Sequence, residues 1–403
     1  MNLGSGLGDL SYSTLVHPGD TWPEMRASLE AHLPLVKQAV SPSEPFGVSL
    51  RMSGSSVETL SAHADELESL IEFLHEHDLY VYTVNAFPHG PFKGGMVKER
   101  VYEPDWANAE RLNYTIGVAD LLAAITIDGV APSIQTAPLA FAANVSGEPY
   151  VARFTEAILR LVTHLAALED RTGRRVKLAL EPEPACYLET TDETVRYFVE
   201  RLYSDEAVRS FARVSGRPVS EAIGLLRRHV GVVFDIGHQA VGFEDIPASL
   251  SKLVAAGIPI FKLQEAAALW VPQVDRISIE ELKRFTGTIY LTQTSELRDD
   301  VLTKYLNLED AIAAYDADPG PRQWRTHFHV PVFLDDLGPF RTTRFAVEQA
   351  LAMHRATPLS DHLEIETYTW DVLPEHLKTG NIDEYVCREL DWVAAQLSPP
   401  AVV

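Results

Sequence analysis

The stretch VGVVFDIG, residues 230–237, decides the fold. The apolar residues Val230, Val232, Val233 and Phe234 run directly into Asp235, and His238 follows the turn at Gly237. Apolar side chains on both faces mark a strand covered on both sides, the habit of parallel sheets whose crossovers are helices. A carboxylate ending such a strand puts a charge at the rim of a core. That placement costs several kcal/mol unless the group is paired, solvated or bound to a cation.

Working outward, the same plan repeats. LSYSTLV (10–16) reads as a strand, and residues 20–40 as a helix with Thr21 and Glu24 at capping-box spacing and Pro23 in the first turn. Leu29, Leu33, Val36 and Val40 share one face of that helix. Further strands are FGVSLRM (46–52), LYVYTVNAF (79–87), APSIQTAPLAF (131–141) and VKLALEPEP (176–184). The spacing predicts single helices over 56–77, 108–124 and 150–171. After residue 237 come IPIFKLQEA (258–266), TIYLTQT (288–294), RTHFHVPVF (325–333) and HLEIETYT (362–369). Alternating strands and helices give an α/β fold, a (β/α)8 TIM barrel spanning 1–403 as one domain. Ten strand candidates exceed eight, so two of the three between 258 and 332 belong to a hairpin or insertion between the sixth and eighth strands. A doubly wound sheet is disfavoured. The glycines of LGSGLGDL (3–10) precede the first strand instead of following it.

Composition narrows the function. With 34 Lys+Arg against 57 Asp+Glu, the net charge of −23 argues against nucleic acid and anionic membrane surfaces as partners. No apolar run is long enough to insert into a bilayer, and no signal peptide is read. Two cysteines without a metal or disulfide pattern point to a reducing, cytoplasmic compartment.

Barrel chemistry lies at the C-terminal strand ends. Those ends carry Glu181 and Glu183, Asp235 and His238, Gln264, His327 and His329, and Glu364 and Glu366. Acids converging in one mouth repel one another unless a cation sits among them. Carboxylates with one or two imidazoles suit Mn2+, Mg2+, Co2+ or Zn2+. Competing readings are a hairpin in which His327 and His329 merely pair with neighbours, a helix-capping His238, and a Gln264 that is only a satisfied polar strand end.

These motifs resemble the xylose isomerase-like barrels, which include sugar isomerases, sugar epimerases and endonuclease IV. EPACYLET from Glu183, FDIGH, HFH and IETY are similar to the ketose 3-epimerase segments E-P-x-x-x-x-E-T, D-x-x-H, H-x-H and E-S-F. The resemblance implies Glu183, Asp235, His329 and Glu366 as metal ligands, Glu183 and Glu366 as catalytic proton carriers, and His238 and Glu189 as substrate contacts. Glu181, Gln264 and His327 are secondary candidates. The epimerases carry an arginine six residues after the metal histidine, where this chain has Asp335. VHPGDTWPE, NAFPHGPFKG, WRTHFHVPVF and LEIETYTWDVLP resemble the metabolite traffic protein EboE family, encoded beside a prenyltransferase-like protein, a TatD-like hydrolase and a sugar-phosphate-cyclase-like enzyme. The expected activity is metal-dependent isomerisation or epimerisation of a small polyol, sugar or cyclitol in a biosynthetic or traffic pathway. A non-catalytic carrier and an endonuclease IV-like hydrolase are the alternatives. PHGPFKGG (88–95) adds Lys93 and backbone N–H groups as a possible phosphate contact.

Overall fold

The computed structural model describes residues 1–93, 95–373, 378 and 380–398. In chain order the strands are β1 (Asp9–Tyr12), β2 (Phe46–Arg51), β3 (Leu79–Asn85), β4 (Ser133–Thr136), β5 (Lys177–Leu180), β6 (Val230–Asp235), β7 (Ile260–Glu265), β8 (Ala267–Val271), β9 (Thr294–Arg298), β10 (Val301–Tyr305), β11 (Gln323–Val330), β12 (Arg341–Thr342) and β13 (His362–Ile365). Eight of them form one parallel sheet in the order β1-β13-β7-β6-β5-β4-β3-β2. A parallel bridge from Ser13 to Ser49 joins the two ends of that order and closes the ring. The fold is a (β/α)8 barrel. Every residue of β2 to β6 is buried, which accounts for their near-continuous apolar runs.

Helices cover the outside. Helix Trp22–Val40 begins with the expected capping box, the Glu24 carboxylate accepting the Thr21 N–H at 3.0 Å. Leu29, Leu33 and Val36 are buried, while Val40 is half-buried at the fraying end. The single helix expected over 56–77 is two, Gly54–Ala62 and Ala64–Glu76, because His63 is extended. Asp65 and Glu66 just beyond it suit the positive end of a new helix better than the middle of an old one.

The surplus strands make an inserted antiparallel sheet, in the order β10-β9-β11-β8-β12, between β7 and β13. The seventh barrel strand is therefore IPIFKLQEA, and RTHFHVPVF is one of the surplus stretches and lies in the insertion. β8 starts two residues after β7 ends and pairs with β11, so the insertion is rooted on the barrel rim.

The barrel interior is unusually polar. Lys262, fully buried on β7, donates to Gln135 Oε1 at 2.6 Å and to Glu364 Oε2 at 2.8 Å. Gln264 donates to Glu364 Oε1 at 3.1 Å, and Ser49 to Glu364 Oε2. Removing one partner from a buried pair strands the other charge and typically costs about 3–5 kcal/mol. We expect Lys262→Met to lower unfolding free energy by about that amount, and the double variant with Glu364→Gln to recover most of it. Urea denaturation checks this; a double variant as unstable as the single one contradicts it.

Candidate metal centre

The strand ends bring the acids together. Asp235 ends β6 and caps the short helix Ile236–Val241, its Oδ1 accepting the His238 N–H at 2.8 Å. Its Oδ2 is buried without a hydrogen-bond partner among the described residues. Glu181, one residue past β5, accepts from Gln135 Nε2 at 2.6 Å. Glu366, one past β13, accepts from Asn85 Nδ2 at 2.9 Å.

The inserted sheet supplies imidazoles. A bulge in β11 between Thr326 and His329 releases His327 from the β8 ladder, and its N–H goes to the Gln293 carbonyl at 2.7 Å. His238 Nδ1 lies 3.1 Å from the Pro182 carbonyl, which only accepts, so Nδ1 carries the proton and Nε2 a bare lone pair. Gln293 Nε2 faces the Pro184 carbonyl at 3.3 Å, which turns its Oε1 toward His327 Nδ1 at 2.9 Å. His327 Nε2 is then bare too. The two bare nitrogens face each other at 3.2 Å, and His329 Nε2 is also 3.2 Å from His327 Nε2. Two acceptors cannot bond to each other. A tetrahedral ion at about 2.0–2.1 Å from each nitrogen would set them about 3.3 Å apart.

Among the described residues four groups of three donors have their ligand atoms within 4.8 Å of one another; three lie in the mouth, His238/His327/His329, Glu181/Asp235/His238 and Asp235/His329/Glu366, and the fourth, His17/His32/Asp383, shares no residue with them. The three interlock through Asp235, His238 and His329. Burial pushes Glu181 and Glu366 well above the carboxylate range, reinforced by neighbouring acids. It lifts Asp235 to about 6 against the pull of His329 and backbone N–H groups. Burial also pushes His238 and His329 down to about 4 and His327 well below its usual value. The mouth thus holds neutral imidazoles and acids short of positive charge, a donor set that fits a divalent ion.

Other sequence-derived residues land differently. Glu183 belongs to none of the three groups; it lines the same cavity, accepts from the Tyr102 hydroxyl at 2.9 Å, and sits 3.8 Å from His327 Nδ1. The second carboxylate of EPEP reaches the cavity wall while the first, Glu181, reaches the donors, because Glu181 directly continues β5. Glu189, expected to contact substrate, pairs with Lys304 of β10 at 2.8 Å and is not among the cavity-lining residues. Asp335 is exposed and pairs with Arg341 at 3.1 Å. Gln264 is a satisfied interior amide. His329, although off the barrel strands, reaches Asp235 and Glu366. The N–H groups of Phe92 and Lys93, read as possible phosphate contacts, go to the Asp20 carboxylate at 2.8 and 3.2 Å. Sequence reading missed Asn85, Tyr102, Gln135, Gln293 and Tyr368, all cavity-lining. Polar Asn85 and Gln135 inside apolar strands were the available signal.

The cavity comprises about 500 Å3 of atom-free space, including the part open to solvent. It is a narrow cleft.

No family model matches the chain, and no curated protein matches it. Solved structures similar to it include an IOLI protein with a binding zinc atom, at 14% identity over 96% of this chain and 97% of that one, TM-score 0.47. A xylose isomerase domain protein from Planctomyces limnophilus is similar at 13% identity over 91% and 92%, TM-score 0.49. A D-psicose 3-epimerase in the presence of D-fructose is similar at 12% identity over 97% and 99%, TM-score 0.46. The barrel assignment rests on strand order and ring closure.

We expect Asp235→Ala to abolish stoichiometric Zn2+ or Mn2+ binding, and Glu181→Gln to weaken it more than Glu183→Gln. Elemental analysis and chelator competition measure both. A larger loss for Glu183→Gln would restore the ligand set implied by the epimerase motifs.

Proposed function

We propose that the chain is a divalent-metal-dependent isomerase or epimerase that moves a proton at a carbon beside a carbonyl, in a small polyol, sugar or cyclitol. The observation carrying this reading is the pair of bare imidazole nitrogens facing each other beside the unpartnered Asp235 oxygen. Glu181, Asp235 and Glu366 together with the imidazoles of His238, His327 and His329 are the donors from which the ion would take its ligands. Such an ion polarises a carbonyl and stabilises negative charge on its oxygen.

The chain's own groups handle the proton. Glu183 lies outside the donor groups, is pushed up to about 8 by burial, and has its Oε1 fixed by Tyr102. A carboxyl titrating near neutrality can both take and return a proton. It would take the proton from the carbon beside the carbonyl, the C–H electron pair becoming the carbon–carbon double bond of an enediolate while the carbonyl π pair moves onto its oxygen. Glu366, held by Asn85, is the partner that returns a proton. The carbon receiving it decides between isomerisation and epimerisation. Membership of the metabolite traffic protein EboE family, and a role in a biosynthetic pathway, belong to this reading, supported by the strings in VHPGDTWPE and WRTHFHVPVF. Among the described residues no helix is long and apolar enough to cross a membrane.

The test is metal-loaded protein with dihydroxyacetone, D-fructose and an inosose in D2O, followed by NMR. We expect exchange of the hydrogen beside the carbonyl, slowed about 10²–10⁴-fold in Glu183→Gln and Glu366→Gln. Undiminished exchange in both variants removes these acids from the reaction. Tight binding without exchange favours a carrier.

A further inference from the structure

The floor and the walls of the cleft differ in character. Donors and amides make the floor, at the strand ends. The walls come from the loops beyond: Leu15 after β1, Phe87 and Phe92 after β3, Tyr290 and Leu291 before β9. Two small apolar clusters lie apart from the main core, one holding Leu15, Phe92, Val97 and Tyr290, the other Phe87, Tyr102 and Leu291 among its members. Members of both line the cleft. Rings connect wall to floor: Phe92 to Tyr290 at 4.8 Å, Tyr290 to Tyr368 at 5.1 Å, and Tyr368 to His329 at 4.5 Å between centroids.

The polar atoms along these walls are engaged. Tyr102 donates to Glu183, Tyr290 to the Phe92 carbonyl at 3.4 Å, Lys98 to Asn307 Oδ1 at 2.9 Å and Lys93 to the Tyr368 carbonyl at 3.2 Å. A hydroxyl pressed against such a wall loses its water without gaining a partner. A methylene there gains affinity, about fourfold for each one buried. A chain hydroxylated at every carbon therefore suits the floor and not the walls.

We propose that the ligand of this site is amphipathic: a vicinal hydroxy-carbonyl head at the donor groups, carrying an alkyl or aryl substituent that lies against Leu15, Phe92, Tyr290 and Leu291. This rests on the metal-dependent reading, which places the head. The probes are hydroxamates, which mimic a hydroxy-carbonyl head, titrated calorimetrically into Zn2+-loaded protein. Acetohydroxamate, butanohydroxamate, hexanohydroxamate and D-gluconohydroxamate form the series. Affinity is expected to rise about three- to fourfold per methylene from acetyl to hexanoyl, with the gluconyl compound weaker than the hexanoyl. Leu15→Ser and Leu291→Ser should each reduce the gain per methylene. A flat wild-type series, or gluconohydroxamate binding as tightly as hexanohydroxamate, overturns the amphipathic ligand while leaving the metal-dependent reading intact. An unchanged gain in both variants overturns the assigned wall. If no hydroxamate binds, the metal-dependent reading fails together with this one.

Discussion

Two imidazole nitrogens, each stripped of its proton by the hydrogen bond its other nitrogen makes, face one another across 3.2 Å in a buried mouth. His238 is committed by the Pro182 carbonyl and His327 by Gln293, itself oriented by Pro184. Both carbonyls belong to the segment after β5, so one turn of chain sets both tautomers. Neighbouring acids crowd the same space, with Asp235 Oδ2 unpartnered among the described residues. Of the two nitrogens and this oxygen only His327 Nε2 has a hydroxyl in reach, that of Tyr368 at 3.5 Å, and buried acceptors left short of donors cost stability. A divalent cation bound there would satisfy all of them at once, which is what the proposed function rests on.

Delivering His327 and His329 is the task of the inserted sheet. The chain leaves β7 and enters β8 almost without a break, and β11 pairs back onto β8 with His329 opposite Ala268. Thr343 caps the start of that ladder, its hydroxyl accepting the Ala268 N–H at 2.8 Å. Thr369, in the loop after β13, donates to the His329 carbonyl at 2.7 Å and ties the insertion to the last barrel strand. Below, Lys262 fixes the Gln135 amide with its oxygen toward the cation and its nitrogen toward Glu181, so the barrel interior orients the acids as the insertion orients the imidazoles.

Much of this was legible in the sequence because burial on both faces writes itself as apolar runs. VGVVFDIG announced β6 and its terminal acid, and all eight barrel strands fall within stretches read as strands save that β1 begins one residue earlier, at Asp9. The insertion was legible only as a surplus. AALWV (267–271) follows IPIFKLQEA with no Gly or Pro at the junction, so β8 left no boundary of its own, and β10 is exposed. Glu181 against Glu183 was undecidable by pattern, since both point the same way by strand alternation; the end of β5 at Leu180 separates them. The pairing of Glu189 with Lys304, more than a hundred residues away, was not legible either. Long-range partners of that kind have no local signature.

The central claim is that imidazole nitrogens and strand-end carboxylates share one ion. X-ray absorption at the zinc edge of protein loaded with a single equivalent of Zn2+ tests it most directly. The account predicts a shell of nitrogen and oxygen scatterers at about 2.0–2.1 Å, with the outer-shell scattering characteristic of at least one imidazole, and its loss in Asp235→Ala. A spectrum of hydrated or purely carboxylate-bound zinc, unchanged by that substitution, would contradict it.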